Sequence, residues 1–104
     1  MAFPEPLERL IRALERFPGV GPRSAERMAL HVLRSAPEEV ADLAVALRDA
    51  RMETVRCETC GNVTLQSPCR ICADPERDPA TVCVVEGPRE VAKMEDAGAH
   101  HGLY

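Results

Sequence analysis

The sequence predicts an α+β chain of several small modules: a helical module over residues 1–53, a cysteine-rich element with an acidic connector over residues 54–78, and the opening of an α/β domain over residues 79–104. Three observations lead there. Apolar residues recur at helical spacing through the first half, four of the five cysteines fall in two Cys-x-x-Cys pairs, and a β-branched run followed by a helical pattern closes the chain. With two Phe, one Tyr and no Trp in 104 residues, large apolar side chains are scarce, and each module needs help beyond its own core.

Leu7, Leu10, Ile11, Leu14 and Phe17 follow the i, i+3, i+4, i+7 rule and predict one amphipathic helix, with Glu8, Arg9, Arg12 and Glu15 on its polar side. Pro18-Gly-Val-Gly21 ends it. Pro22 suits the first position of a second helix, where its missing N–H has no intrahelical partner to lose, and Ala25, Met28, Ala29, Val32 and Leu33 form that helix's stripe. Ser35 and Glu38 have capping-box spacing for a third helix, striped by Val40, Leu43, Ala44 and Leu47.

Cys57-Glu-Thr-Cys60 and Cys69-Arg-Ile-Cys72 are separated by the eight residues Gly61 to Pro68. Each pair can turn back and direct two thiolates at one metal, and four thiolates close the tetrahedral shell of a structural Zn²⁺, one per chain. The intervening loop fits a tight two-stranded hairpin with a knuckle at each end. Such a metal holds a fold together, and its removal should unfold the knuckles while sparing much of the helical signal. Two disulfides would need an oxidising compartment, and Met1 to Arg16 shows no apolar secretory stretch; a thioredoxin-like redox motif uses one such pair. Cys83, inside Thr81-Val-Cys-Val-Val85, reads as a small buried hydrophobe.

The net charge of −4 does not exclude a polyanionic partner, because it is unevenly placed. Arg9, Arg12, Arg16, Arg23, Arg27 and Arg34 face only Glu15 and Glu26 within residues 9–34, whereas the acidic excess lies after residue 57. Gly19, Val20 and Gly21 permit a sharp turn that exposes backbone N–H groups at a helix start, and Arg23 and Arg27 lie one turn apart on the helix that follows. This segment resembles the helix-hairpin-helix DNA-binding motif. Its phosphate-seeking groups and the lack of Asn or Gln predict binding without sequence specificity. No segment is long and apolar enough to span a membrane, and a soluble cytoplasmic protein is expected.

After the acidic connector Asp74-Pro-Glu-Arg-Asp-Pro79, Ala80 to Glu86 reads as a buried strand and Gly87-Pro88 as a turn. Arg89 to Ala97 reads as a helix carrying Val91 and Met94 on one side and stopped by Gly98, and His100 to Tyr104 as the start of another strand. One strand and one helix cannot cover both faces of a parallel sheet, so the chain reads as cut inside an α/β domain.

In this order the modules resemble the RecR family of bacterial recombination mediators, over Leu7 to Tyr104. That resemblance implies that residues 79–104 begin a Toprim domain, the fold shared with topoisomerases and primases. It implies a bacterial, nucleoid-associated DNA-binding protein that pairs with RecO or RecF to promote recombinase loading at gaps, as a homodimer or homotetramer. Cys57, Cys60, Cys69 and Cys72 match the family's zinc ligands, and Arg23 and Arg27 its basic positions, the former often Lys. Glu86 matches the acidic position of catalytic Toprim domains, but no Asp-x-Asp pair follows it to hold Mg²⁺, so no enzymatic activity is expected. The alternative is a fragment of a Toprim-containing topoisomerase or primase.

Overall fold

Helix α1, Glu5–Leu14, starts at Pro4, whose carbonyl accepts hydrogen bonds from the amides of Leu7 (3.0 Å) and Glu8 (3.1 Å). Glu5 and Glu8 in its first turn and Arg12 in its last complement the helix dipole. Helix α2, Pro22–Arg34, packs against it, with Pro22 at the first position as its ring predicts. The shared core is small: Leu7, Ile11, Ala25 and Ala29 are buried, with Phe3, Leu10, Leu14, Val20 and Leu30 packed around them. Two alanines at the contact let the helix backbones approach closely. The computed structural model describes residues 2–104, Met1 lying outside them, and divides into two units, Met1–Ala46 and Leu47–Tyr104.

The predicted stripes are covered only where α1 and α2 meet. Phe17 is exposed, because α1 stops at Leu14 and the chain turns before Phe17 can join the stripe, and Met28 and Leu33 are exposed as well. Helix α3, Pro37–Glu53, buries none of its residues, and Leu43 and Leu47 stand 53% and 55% open to solvent. An apolar stripe is covered only if something packs on it, and no helix among the described residues does so. Nor does the Ser35–Glu38 capping box form. The Ser35 hydroxyl donates back to the His31 carbonyl (2.9 Å) at the end of α2, while Ala36 accepts the first bonds of α3, from the amides of Glu39 and Val40.

In the second unit, β1 (Val55–Arg56) and β2 (Val63–Thr64) pair antiparallel, Val55 opposite Thr64 and Arg56 opposite Val63. They flank the first cysteine pair instead of joining the two pairs, so the hairpin presents one knuckle at its tip. Strand β3 (Asp78–Val82), helix α4 (Pro88–Ala97) and β4 (Gly102–Leu103) follow, with β3 and β4 parallel. Strand, helix and parallel strand form a βαβ arrangement, as the closing pattern predicted. Gly98, at φ 62°, ends α4 in the left-handed conformation. Gly102 is glycine for clearance, because a Cβ there would run into the carbonyl of Thr81 on β3.

The strand placed at Ala80 to Glu86 is corrected in both position and burial. It begins at Asp78, whose carboxylate accepts hydrogen bonds from the Ala80 amide (2.9 Å) and the Thr81 hydroxyl (2.6 Å), and it ends at Val82. All five residues are exposed, Val84 beyond it is 93% exposed, and Cys83 is only half-buried. A two-stranded ladder has too few neighbours to cover its faces.

Candidate metal centre and nucleic-acid interface

The two cysteine pairs fold into matching turns. The amide of Gly61 closes on the Cys57 carbonyl (2.8 Å) and that of Ala73 on the Cys69 carbonyl (2.9 Å), so each pair's second cysteine swings back toward its first. The Glu58 amide donates to the Ser67 hydroxyl (2.8 Å) and fastens the first turn to the segment leading into the second. The four Sγ atoms then lie within 4.8 Å of one another, Cys57 and Cys69 buried, Cys60 and Cys72 half-buried. A tetrahedral zinc with bonds of about 2.3 Å has sulfur–sulfur edges of about 3.8 Å. Cys57 to Cys72 is 3.8 Å and Cys60 to Cys69 is 3.7 Å, so two opposite edges of the cage have the length found in a zinc thiolate tetrahedron.

Its surroundings favour thiolate on one side and penalise it on the other. Backbone amides, that of Cys69 first (3.3 Å from Sγ), pull the Cys57 thiol down to about 5. Burial pushes Cys60 and Cys72 up, although the Asn62 amide donates to Cys60 Sγ (3.4 Å) and works against the rise there. Four clustered thiolates need a cation to be stable in such a place, and a divalent metal supplies it. The donor set, all sulfur and closed, leaves no position for substrate; the zinc is structural.

One stabilising constellation was not foreseen. Arg77, in the connector, forms a two-pronged ion pair with Glu95 on α4, its Nη2 to Oε1 and its Nη1 to Oε2 (3.1 Å). The same guanidinium donates to the carbonyls of His100 (3.2 Å) and Gly102 (3.3 Å), and the Tyr104 hydroxyl donates to Glu95 Oε2 (2.6 Å). Hydrogen bonds from Arg77, then Tyr104, hold the Glu95 carboxyl below its usual range, while burial, then Glu95, pushes Tyr104 up to about 12. Arg77 is visible in the sequence within its Asp-Pro-x-Arg-Asp motif, but no local pattern points to a partner eighteen residues on.

In the first unit, Gly19 has φ +82°, a left-handed turn that favours glycine. Val20 tucks against the helix core, its amide bonded to the Phe17 carbonyl (3.1 Å). Gly21 is the cap residue of α2, with φ −90° and ψ 179°, and no side chain caps the helix start. Arg23 and Arg27 follow on the face of α2 opposite Ala25 and Ala29, both exposed. Among the described residues neither makes an ion pair; Arg27 Nη2 donates to the Ser24 hydroxyl at 3.5 Å. The structure thus brings Gly19, Val20, Gly21, Arg23 and Arg27 together at one end of the α1–α2 pair. Glu86 is exposed in the loop between β3 and α4, four residues past the end of the strand that was expected to carry it. Among the described residues, the four cysteines are the one group of three or more His, Cys, Asp or Glu poised to hold a metal.

Comparison with known proteins matches the hairpin and the cysteine element separately. The family described as "RecR, helix-hairpin-helix" matches residues 7–51, and the four-cysteine zinc finger domain of RecR matches residues 54–74. Over all 104 residues the chain is 48% identical to the recombination protein RecR of Moorella thermoacetica, covering 52% of that protein. It is 44% identical to that of Deinococcus radiodurans, covering 47%, and 42% identical to that of Bifidobacterium longum, covering 52%. The chain spans about half the length of the curated relatives it matches. No helix among the described residues is long and apolar enough to cross a membrane. With a zinc-sized four-cysteine cage following a two-helix hairpin at the matching positions, the chain belongs to the RecR family of recombination proteins.

Proposed function

We propose that this chain grips the DNA backbone through its α1–α2 hairpin, as part of a recombination mediator that works by binding and not by catalysis. The observation that carries the proposal is Gly21. Its backbone angles suit any residue, and a Cβ there would meet nothing of this chain within 4 Å, so neither strain nor internal packing calls for glycine. Ser, Thr, Asp or Asn would cap the helix better. Pro22 has no N–H and the Ala25 amide is bonded to the Gly21 carbonyl, so a bare cap leaves the amides of Arg23 and Ser24 beside two guanidinium groups that make no ion pair among the described residues, an arrangement that suits a phosphate oxygen and reads no base.

Gly21→Asp separates this role from a structural one. The carboxylate would cap the amides and stabilise the helix by about 0.5–1 kcal/mol, while placing negative charge where phosphate should sit. Thermal stability should rise or hold while DNA affinity falls by about tenfold or more. Unchanged DNA affinity in a stabilised variant would contradict the phosphate reading.

In this reading Cys57, Cys60, Cys69 and Cys72 are the ligands of one structural zinc, residues 79–104 open a Toprim domain, and Glu86 is a structural or partner-binding residue. The module boundaries fall at residues 53 and 78. The intact protein acts in the cytoplasm on nucleoid DNA, with RecO and RecF as partners, to load recombinase at gaps. Exposed Leu33 on α2 and Leu43 and Leu47 on α3 support self-association into dimers or tetramers, since a stripe left open in one copy can be covered by another. A stable monomer by light scattering at high protein concentration would contradict that assembly.

A further inference from the structure

We infer that the zinc cage is the hydrophobic core of the β3–α4–β4 element, so that metal occupancy decides whether that element is ordered. The element has no core of its own. Strand β3 is exposed along its whole length, and α4 buries a single residue, Val91. Val91 is 5% exposed because it belongs to one buried cluster with Cys57, Cys69 and Ile71, three residues of the knuckles. Val85, ahead of α4, and Tyr104, behind β4, pack on the same cluster, as do Cys60 and Cys72. Of the eight residues named, four are the cysteines that take the metal.

Connectivity strengthens the coupling. Ile71 lies inside the second Cys-x-x-Cys turn, between Cys69 and Cys72, so its position is fixed by the ligation of its neighbours. Arg77 follows that turn and ties the chain leaving it to Glu95 on α4 and to the carbonyls of His100 and Gly102 at β4. One apolar and one polar tether therefore run from the metal loops to the βαβ element. Releasing the metal removes the four bonds that hold the two knuckles against each other, and the loop carrying Ile71 loses its anchor. The first unit has a separate core in Leu7, Ile11, Ala25 and Ala29 and has no such dependence.

Tyr104 makes the coupling measurable, because the sequence has one Tyr and no Trp, so emission excited where its two Phe do not absorb comes from Tyr104. Zinc should be withdrawn from the 104-residue chain with a chelator under reducing conditions, its release followed by a colorimetric indicator, with Tyr104 emission and amide exchange recorded together. The expected result is that Tyr104 emission changes in step with zinc release and that exchange across Pro88–Ala97 speeds up by about tenfold or more, while Leu7–Arg34 stays protected. Complete zinc release with Tyr104 and α4 unchanged would overturn the inference, as would equal loss of protection in Leu7–Arg34. A second variant, Val91→Ala, cuts the apolar tether and leaves the ligands intact. It should bind one zinc with affinity lowered by the same factor by which zinc's hold on α4 is lowered, since coupling between two events is reciprocal. Unaltered zinc affinity and unaltered α4 protection in that variant would also overturn the inference.

Discussion

Replacing Cys69 with alanine should strip the chain of zinc and unfold residues 54–104 while leaving α1 and α2 folded. Cys69 is the most buried of the ligands, 2% exposed; its amide supports the Cys57 thiolate and its sulfur accepts the Cys72 amide. A structural zinc contributes about 10–16 kcal/mol of apparent binding free energy, comparable with or larger than the ~5–15 kcal/mol that holds a whole domain. Loss of one of four ligands therefore exceeds anything the remaining contacts can offset, above all where the ligands make up half of the buried cluster. Elemental analysis should find one zinc per wild-type chain and almost none in the variant, with amide exchange lost only in the second unit. A variant that kept its zinc and its protected βαβ element would show that the cysteines pack without ligating. Because each ligand must shed a proton to bind, acid should release the metal from the wild-type chain as well.

The second large effect belongs to Arg77. Its side chain is 15% exposed and that of Glu95 19%, and Arg77→Met would keep much of the volume while leaving Glu95 and the carbonyls of His100 and Gly102 short of a donor. Breaking a buried pair from one side costs about 3–5 kcal/mol; with this much exposure about 2–4 kcal/mol is expected. The pH dependence has a defined sign. Glu95 is depressed in the folded chain, so its contribution is present above the ordinary carboxylate value near 4.5 and is lost as pH falls through the lower folded value. Tyr104 is raised, so its contribution is present below 10 and lost as pH climbs through about 12. Arg77→Met should remove most of Glu95's share of the acid-side loss, because Glu95 then has little left to lose, while the share that comes from zinc release stays. Urea unfolding between pH 3 and pH 7 checks this, and a variant as stable as wild type with an unchanged acid limb would contradict the role given to the pair.

The sequence carried the parts of this architecture that depend on neighbours a few residues away. Pro22 at the start of α2, Gly98 at the end of α4 and the doubled Cys-x-x-Cys spacing were all readable, because each follows from local backbone geometry or from the reach of a short turn. The core between α1 and α2 was partly readable, since helical spacing picked out Leu7, Ile11, Ala25 and Ala29 but also Phe17, Met28 and Leu33, which lie open. Periodicity says which side of a helix is apolar and nothing about what covers it; hence α3 carries a stripe that no described part of this chain buries. The start of β3 escaped because Asp78 and Pro79 read as connector, whereas the pairing of Asp78 with Gly102 is a long-range event. Arg77 was legible as a motif residue and illegible as a staple, for the same reason. At the hairpin, residue types and spacing pointed to phosphate, and the geometry added that Gly21 has no internal reason to be glycine.

Whether the hairpin holds DNA by its backbone is tested most directly by salt titration of binding, for wild type and an Arg23→Ala, Arg27→Ala double variant in the same oligomeric state, on two duplexes of equal length and unrelated sequence. Each guanidinium that neutralises one phosphate releases condensed counterion, so the double variant should bind both duplexes more weakly to the same degree and flatten the log–log salt slope by about 2 per subunit. Zinc content and helix content should be unchanged. Equal affinity and equal slope for the two proteins would contradict the proposal and leave Arg23 and Arg27 as a solvated face of α2.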